Sequence, residues 1–144
     1  MIMLAVDFGD ARTGLATCDK FEMLASPAGT LKEKNFNTCA QKTSNLAKKI
    51  GAELIVVGYP KNMNGTIGER AQKCEKFAAL VTKLSGIDHV MWDERSTTVS
   101  AINYMNMTNT RGAKRKEELD QAAAVIILES YMQYRKNMQE KENG

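Results

Sequence analysis

The sequence is poor in several residue types that define common classes of protein. Its 144 residues include three cysteines, one histidine and two prolines, and only 6% are aromatic. The cysteines (Cys18, Cys39 and Cys74) are odd in number and widely spaced, so they predict neither a disulfide scaffold nor a zinc site. The shortage of aromatic residues argues against a stacking platform for single-stranded bases. We therefore expect reduced, structural thiols in a cytoplasmic protein.

Long apolar runs are also missing. The first run, MIMLAV, stops at Asp7 and has no basic segment before it, so a signal peptide is not predicted. The later run AAAVIIL, residues 122–128, is too short to cross a bilayer. The net charge of +3 is compatible with a nucleic-acid partner but does not by itself indicate one. These features predict a globular domain without a membrane-spanning segment.

Apolar runs and turn residues predict a single α/β domain. Residues 1–8 and 14–19 are expected to form an antiparallel hairpin, and Pro27 places a third strand, near 22–31, at an edge of the sheet. Two more strands, 53–60 and 88–94, alternate with helices at 37–50, 69–84, about 96–105 and 117–134. Asn37 is the predicted cap of the first helix, and residues 106–116 are expected to be a basic loop. This order of elements indicates a mixed sheet.

Three carboxylate positions lie where predicted elements begin or end. Asp7 ends the first strand, within AVDFGDARTG, and Asp93 and Glu94 end the fifth strand, directly before RSTT. Asp120 lies in the first turn of the last helix, on the small, apolar side that would approach the sheet. Ligands of open α/β sheets bind at the carboxyl ends of the strands. We therefore expect these acids to converge at that edge.

Converging carboxylates repel one another unless a cation lies between them. Mg²⁺ and Mn²⁺ prefer oxygen ligands, and two such ions about 4 Å apart activate water and stabilise the leaving oxygen of a phosphodiester. The acids thus predict a site for Mg²⁺ or Mn²⁺, with two ions. Each acid alone has a structural alternative: an aspartate after a strand often only caps a turn, and an acidic residue in the first turn of a helix is favoured by the macrodipole.

Four motifs resemble those of the YqgF/RuvX family in order and spacing. They are VDFGDARTGLA, VVGYPKNMNGTIGERA, WDERSTTVSA and LDQAAAVIILESY. The family is RuvC-like within the ribonuclease H-like superfold, and its members are named pre-16S rRNA nucleases and, earlier, Holliday-junction resolvases. The resemblance implies one ribonuclease H-like domain at residues 1–136 and a charged, frayed tail at 137–144. The implied sheet has five strands in the order 3-2-1-4-5, with strand 2 antiparallel and helices on both faces.

The resemblance also implies roles for single residues. Asp7, Glu94 and Asp120 would be catalytic and hold the metal ions. Asp93 competes with Glu94, because a one-residue error in the strand end reverses which side chain points inward. Thr13 departs from the apolar residue that is usual in the family between the arginine and the glycine of this motif.

Basic and polar residues near the acids are expected to contact the backbone of a nucleic acid. The densest group lies at 111–116, where a basic loop would hold a polyanion beside carboxylates that otherwise repel it. The alternative is a solvated loop balanced by the acids that follow it. The expected contacts are Arg12, Lys61, Asn64, Arg70, Arg95, Arg111, Lys114, Arg115 and Lys116.

The leading functional hypothesis is a metal-dependent nuclease acting on structured RNA, with maturation of the pre-16S rRNA 5′ end as the task that the family implies. Its partner would be pre-16S rRNA or a small-subunit ribosomal particle. One alternative is a Holliday junction resolvase acting on four-way DNA, and another is a non-catalytic RNA-binding factor of ribosome assembly. An actin-like ATPase needs two such halves, and 144 residues supply one. We expect a monomer or a weak homodimer.

Overall fold

A computed structural model describes residues 1–60, 67–93 and 112–143, and within the last range the side chains of 119–141. The strands are β1 (Met3–Asp7), β2 (Arg12–Cys18), β3 (Ala25–Lys32), β4 (Leu54–Tyr59) and β5 (His89–Asp93). The helices are α1 (Phe36–Ile50), α2 (Glu69–Ser85) and α3 (Gly112–Asn143). No helix within these ranges is both long and apolar enough to cross a membrane.

The five strands form one mixed sheet in the order β3-β2-β1-β4-β5. Strand β2 runs antiparallel to both β1 and β3, whereas β1, β4 and β5 are parallel. The antiparallel hairpin and the edge position of the Pro27 strand are therefore confirmed, as is the predicted fold. At the edge, β3 accommodates one extra residue in its pairing with β2, between Pro27 and Gly29.

Two apolar cores lie on opposite faces of the sheet, because side chains alternate between the faces along each strand. On one face, Leu4, Val6 and Phe8 pack beneath α1 and α2, with the rings of Phe8 and Phe77 stacked at 4.4 Å. On the other face, Met3 and Ala5 pack beneath α3. All three cysteines are buried free thiols, as expected for structural residues.

The ends of two helices differ from the predictions. Helix α1 is capped by Asn35 and not by Asn37, because the Asn35 side chain accepts a hydrogen bond from the amide of Thr38. Helix α3 begins at Gly112, so residues 112–116 are helical where a loop was predicted, and it continues to Asn143 beyond the predicted end at Tyr134. Helix-forming residues dominate both extensions: alanine, lysine and arginine in the first, and lysine, arginine, glutamate and glutamine in the second. The predicted helix at 96–105 lies outside the described residues.

Candidate functional site

The carboxyl ends of the parallel strands bring two of the predicted acids to one edge of the sheet. Asp7 is the last residue of β1, and Asp93 is the last residue of β5. Strand β4 lies between them, so their backbones are separated by two strand spacings, or about 10 Å. Both residues are partly buried.

Asp7 lies on the face of the sheet that α3 covers. Alternation along β1 places it with Met3 and Ala5, which belong to the core beneath α3. Its partner on β2 is Gly14, and the residue beside it on β4, one step beyond the Val6–Val57 pair, is Gly58. Because neither neighbour has a side chain, the sheet surface on both sides of Asp7 is open to an approaching group.

Helix α3 uses the space above Gly14. A β-carbon added at Gly14 would lie 2.0 Å from the carbonyl oxygen of Asp120 and 2.3 Å from its carbonyl carbon. The backbone of Asp120 therefore rests directly on the strand residue that pairs with Asp7. Only glycine permits this approach, which brings the helix acid next to the strand acid.

Arg12 neutralises Asp120. Its Nε donates a hydrogen bond of 2.9 Å to Oδ2 of Asp120, and both side chains are partly exposed. Arg12 begins β2 and lies two residues before Gly14, on the same face of the sheet. The arginine thus offsets part of the negative charge that two neighbouring carboxylates accumulate.

Asp93 belongs to the opposite face. Its partner on β4 is Tyr59, whose hydroxyl donates a hydrogen bond to Glu75 of α2. The preceding residue, Trp92, packs with the core beneath α3, and its indole N–H donates to the hydroxyl of Ser130. Alternation therefore separates Asp93 from Asp7 and Asp120 by the thickness of the sheet. The other middle candidate, Glu94, lies outside the described residues.

The turn between β1 and β2 is fixed by its own contacts. A β-carbon at Gly9 would lie 2.2 Å from the carbonyl oxygen of Arg12, so this tight turn also requires glycine. The buried Thr13 hydroxyl lies 3.4 Å from the carbonyl oxygen of Gly9 and from Sγ of Cys39. Asp10 forms an ion pair of 2.5 Å with Lys73, and that hydrogen bond lowers the pKa of the Asp10 carboxyl. Asp10 thus supports the turn, whereas Asp7 lies on the face of the sheet that α3 covers.

Two of the predicted nucleic-acid contacts have described side chains, and both lie near this edge. Arg12 binds Asp120, and Arg70 of α2 donates a hydrogen bond of 3.0 Å to the carbonyl oxygen of Phe8, the residue after Asp7. Lys114, Arg115 and Lys116 lie in the first turns of α3, ahead of Asp120. The other four, Lys61, Asn64, Arg95 and Arg111, lie outside the described residues.

The donor set at this edge fits a hard divalent cation. Asp7 and Asp120 offer carboxylate oxygens from two separate elements, and both lie on the α3 face of the sheet, which is the ligand chemistry that Mg²⁺ and Mn²⁺ prefer. Among the described side chains, those of 1–60, 67–93 and 119–141, no group of three acids, histidines or cysteines is close enough to hold a metal ion. A third acidic ligand would therefore come from a side chain outside those ranges.

Sequence reasoning missed three contacts that build the site. These are the packing of Asp120 on Gly14, the Arg12–Asp120 ion pair and the Asp10–Lys73 ion pair. The partners are separated in the chain by 108 residues for Arg12–Asp120 and by 63 for Lys73–Asp10, so no local pattern links them. The small residues that follow Asp120 were the one available signal, since they predicted a close approach of the helix.

The chain matches a family model described as "RuvX: Holliday junction resolvase" over residues 1–134. It is 39% identical over 136 residues to a protein of Lachnospira eligens named "Putative pre-16S rRNA nuclease", covering 92% of this chain and 97% of that one. A Bacillus cereus protein of the same name is 37% identical over 134 residues, covering 92% and 98% of the two chains.

Two solved structures are similar in fold at low identity. Thermus thermophilus RuvC in complex with a Holliday junction substrate has a TM-score of 0.61 at 13% identity, covering 94% of this chain and 95% of that one. The Fowlpox virus resolvase in complex with Holliday junction DNA has a TM-score of 0.61 at 11% identity, covering 93% and 98% of the two chains. Identities this low establish the shared fold and leave the substrate to be argued from the site.

Proposed function

The chain belongs to the RuvX family and is a nuclease, and from that premise we propose that it hydrolyses phosphodiester bonds of structured RNA with divalent metal ions. The natural task proposed is maturation of the 5′ end of pre-16S rRNA in the cytoplasm, on the RNA or on a small-subunit particle. The observation that carries the proposal is the packing of Asp120 on Gly14, which joins the helix acid to the strand acid at the sheet edge.

We assign the metal ligands to Asp7, Asp120 and Glu94. Asp7 and Asp120 share the α3 face, whereas the partner of Asp93, Tyr59, bonds to α2 on the other face. Glu94, which follows Asp93 in the D-E-R motif, is therefore the better candidate for the middle ligand. Bound Mg²⁺ or Mn²⁺, in a pair, would supply an activated water and a Lewis acid for the leaving oxygen.

The residues of the chain orient the site and balance its charge. The β1–β2 turn holds Asp7 in place, because Thr13 and Arg70 bond to the carbonyl groups of Gly9 and Phe8. Arg12 holds the Asp120 carboxylate and offsets its charge. The basic residues at the start of α3, with Lys61, Asn64, Arg95 and Arg111, are proposed to contact the phosphates of the substrate, where each cation reduces repulsion from the acids.

A four-way-junction resolvase is the second candidate. It uses the same ligands and differs in its substrate, and the description of the matching family favours it. A resolvase that cuts two strands symmetrically normally acts as a dimer. A non-catalytic RNA-binding factor is the third candidate, and the position of Asp7 and Asp120 on one face at the same edge of the sheet argues against it.

One experiment separates these functions. The purified protein would be incubated with a 5′-labelled RNA that copies the precursor leader and the start of 16S rRNA, and in parallel with a labelled four-way DNA junction, each with Mg²⁺, Mn²⁺ or chelator. We expect metal-dependent cleavage of the RNA. Cleavage of the junction alone would indicate a function in recombination and not in RNA processing. Binding of RNA without cleavage under any condition would contradict the catalytic proposal.

Matched variants identify the ligands. Asp7→Asn is expected to remove cleavage, whereas Asp10→Asn, three residues away in the same turn, is expected to retain it because Asp10 bonds to Lys73. In the D-E-R motif, Glu94→Gln is expected to remove cleavage and Asp93→Asn to preserve it. The reverse result in the second pair would move the middle ligand to Asp93, and near-wild-type turnover by Asp7→Asn would refute the mechanism.

A further inference from the structure

The end of the molecule opposite the acids presents three large apolar side chains to solvent. Phe21, Met23 and Leu24 lie in the turn between β2 and β3, and they are 72%, 80% and 68% exposed. Single exposed apolar residues are common on protein surfaces, but neighbouring ones mark interaction sites. We call these three residues the apolar turn.

The apolar turn is held in one conformation. The carboxylate of Asp19 accepts hydrogen bonds from the backbone amides of Phe21, Met23 and Leu24, at 3.0, 2.8 and 2.9 Å. Glu22 adopts a left-handed backbone conformation, with φ of 55°, and its carboxylate bonds to the terminal amine of Met1 and to Arg135. A left-handed glutamate is unfavourable, so the surrounding contacts must impose it. A turn ordered in advance loses little conformational entropy on binding.

A groove of about 520 Å³ separates the apolar turn from one face of α3. The helix residues that line it are Glu129, Met132, Gln133, Lys136 and Gln139. Their spacing of three and four residues places them on a single side of the helix. Glu129 and Lys136 are exposed, and the half-buried Met132 lies between them along the helix.

The charges on this face are self-complementary. Glu129 and Lys136 are seven residues apart, and their midpoint falls between Met132 and Gln133. If two copies of α3 packed antiparallel about a two-fold axis through that midpoint, Glu129 would lie opposite Lys136 of the partner subunit, and Met132 opposite Gln133 of the partner subunit. The two-fold axis repeats each pair, so the interface would contain two Glu129–Lys136 ion pairs. The same face of each subunit supplies one glutamate and one lysine, as an isologous interface requires.

We propose that this face is a homodimer interface, in which the groove between the apolar turn and α3 receives α3 of a second copy of the chain. The inference does not depend on the proposed function. The helix runs from Asp120 at the acid edge to Arg135 at the opposite edge, where it bonds to Glu22. The midpoint is about 19 Å from Asp120 along the helix axis, so the two acid sites would lie at opposite ends of the dimer, roughly 38 Å apart along the helices.

Charge exchange tests this geometry. Sedimentation velocity over about 1 µM to 1 mM would give the dimer dissociation constant of the full-length protein. Glu129→Lys and Lys136→Glu each turn two attractive contacts into repulsive ones, so each is expected to raise that constant roughly tenfold. The double variant exchanges the charges and restores both pairs, and it is expected to recover the wild-type constant. Leu24→Ser is expected to weaken the dimer without touching the charges.

Lys49→Glu is the matched control, because it makes the same charge change on an exposed helix residue away from the groove. Nuclease activity and circular dichroism of each variant, measured at concentrations where the protein is monomeric, establish that the fold is intact. A protein that stays monomeric throughout overturns the proposal and leaves the face to another kind of partner. A double variant as weak as the single ones overturns it too, as does a dimer that no groove variant weakens.

Discussion

Replacing Gly14 with alanine separates the two acids without altering either one. The new β-carbon would lie 2.0 Å from the carbonyl oxygen of Asp120, whereas such contacts essentially never fall below 3.0 Å. Strand β2 is fixed between β1 and β3, so helix α3 must move by at least the difference of about 1 Å. The Asp120 carboxylate then moves away from Asp7.

Two consequences of different size follow from this displacement. Overpacking a well-packed interface costs about 1–3 kcal/mol of the free energy of unfolding. A displacement of about 1 Å at a catalytic group costs on the order of 100-fold in rate. We therefore expect Gly14→Ala to remain folded at 25 °C but to lose nearly all nuclease activity.

Gly51→Ala is the control that separates the two effects. Gly51 ends α1 with a positive φ of 74°, and an added β-carbon would contact no atom within 4 Å. Its backbone strain costs about 1 kcal/mol and leaves the acids in place. Urea unfolding and RNA cleavage per folded molecule would be measured for both variants. A Gly14→Ala protein with wild-type stability and activity would refute the close packing of α3 on β2.

Two further predictions concern ion pairs. Arg12→Ala removes one partner of Asp120. Because both side chains are partly exposed, we expect the free energy of unfolding to fall by less than about 1 kcal/mol without divalent ions. Mg²⁺ should then raise the urea midpoint more in Arg12→Ala than in the wild type, since it relieves repulsion that Arg12 otherwise offsets; an equal response would contradict this role. For Glu22, the hydrogen bonds from Arg135 and from the terminal amine hold the carboxyl pKa below its ordinary 4.5, against the opposing effect of burial. Glu22→Gln should therefore cost about 1–2 kcal/mol at pH 7, and the difference should vanish as the pH falls through the lowered pKa. Unfolding of dilute protein from pH 7 to 3 measures it, and a pH-independent difference would refute the assignment.

The parts of the fold that depend on local patterns were predicted well. The apolar runs of β1 and β4 and the alternation in β2 indicated strands, because burial on one or two faces imposes those patterns directly. Pro27 indicated an edge strand for an equally local reason, since proline has no amide to donate to a neighbour. The ends of α1 and α3 were predicted less well, because several neighbouring residues can cap a helix or continue it.

The sequence indicated the individual acids of the candidate site but not the contacts that join them. Position in the chain singled out Asp7 and Asp120, since each lies where an element begins or ends, and the motif resemblance assigned them to one site. The choice between Asp93 and Glu94 depended on the face of β5, which is determined by pairing with β4. A shift of one residue exchanges the faces, and a single sequence does not define that register.

The sequence by itself determined which segments are strands and helices and the family of the chain, and it singled out the acids that we propose as metal ligands. Only the tertiary structure decided that Gly14 lies beneath Asp120, that Arg12 neutralises that acid and that the far end of α3 borders a groove beside the exposed apolar turn. The physical reason is the separation in sequence of the residues that interact. Hydrogen bonding and burial within one segment impose a periodic pattern of apolar and polar residues on that segment. Contacts between residues about 100 positions apart leave none, because any compatible pair of surfaces satisfies them.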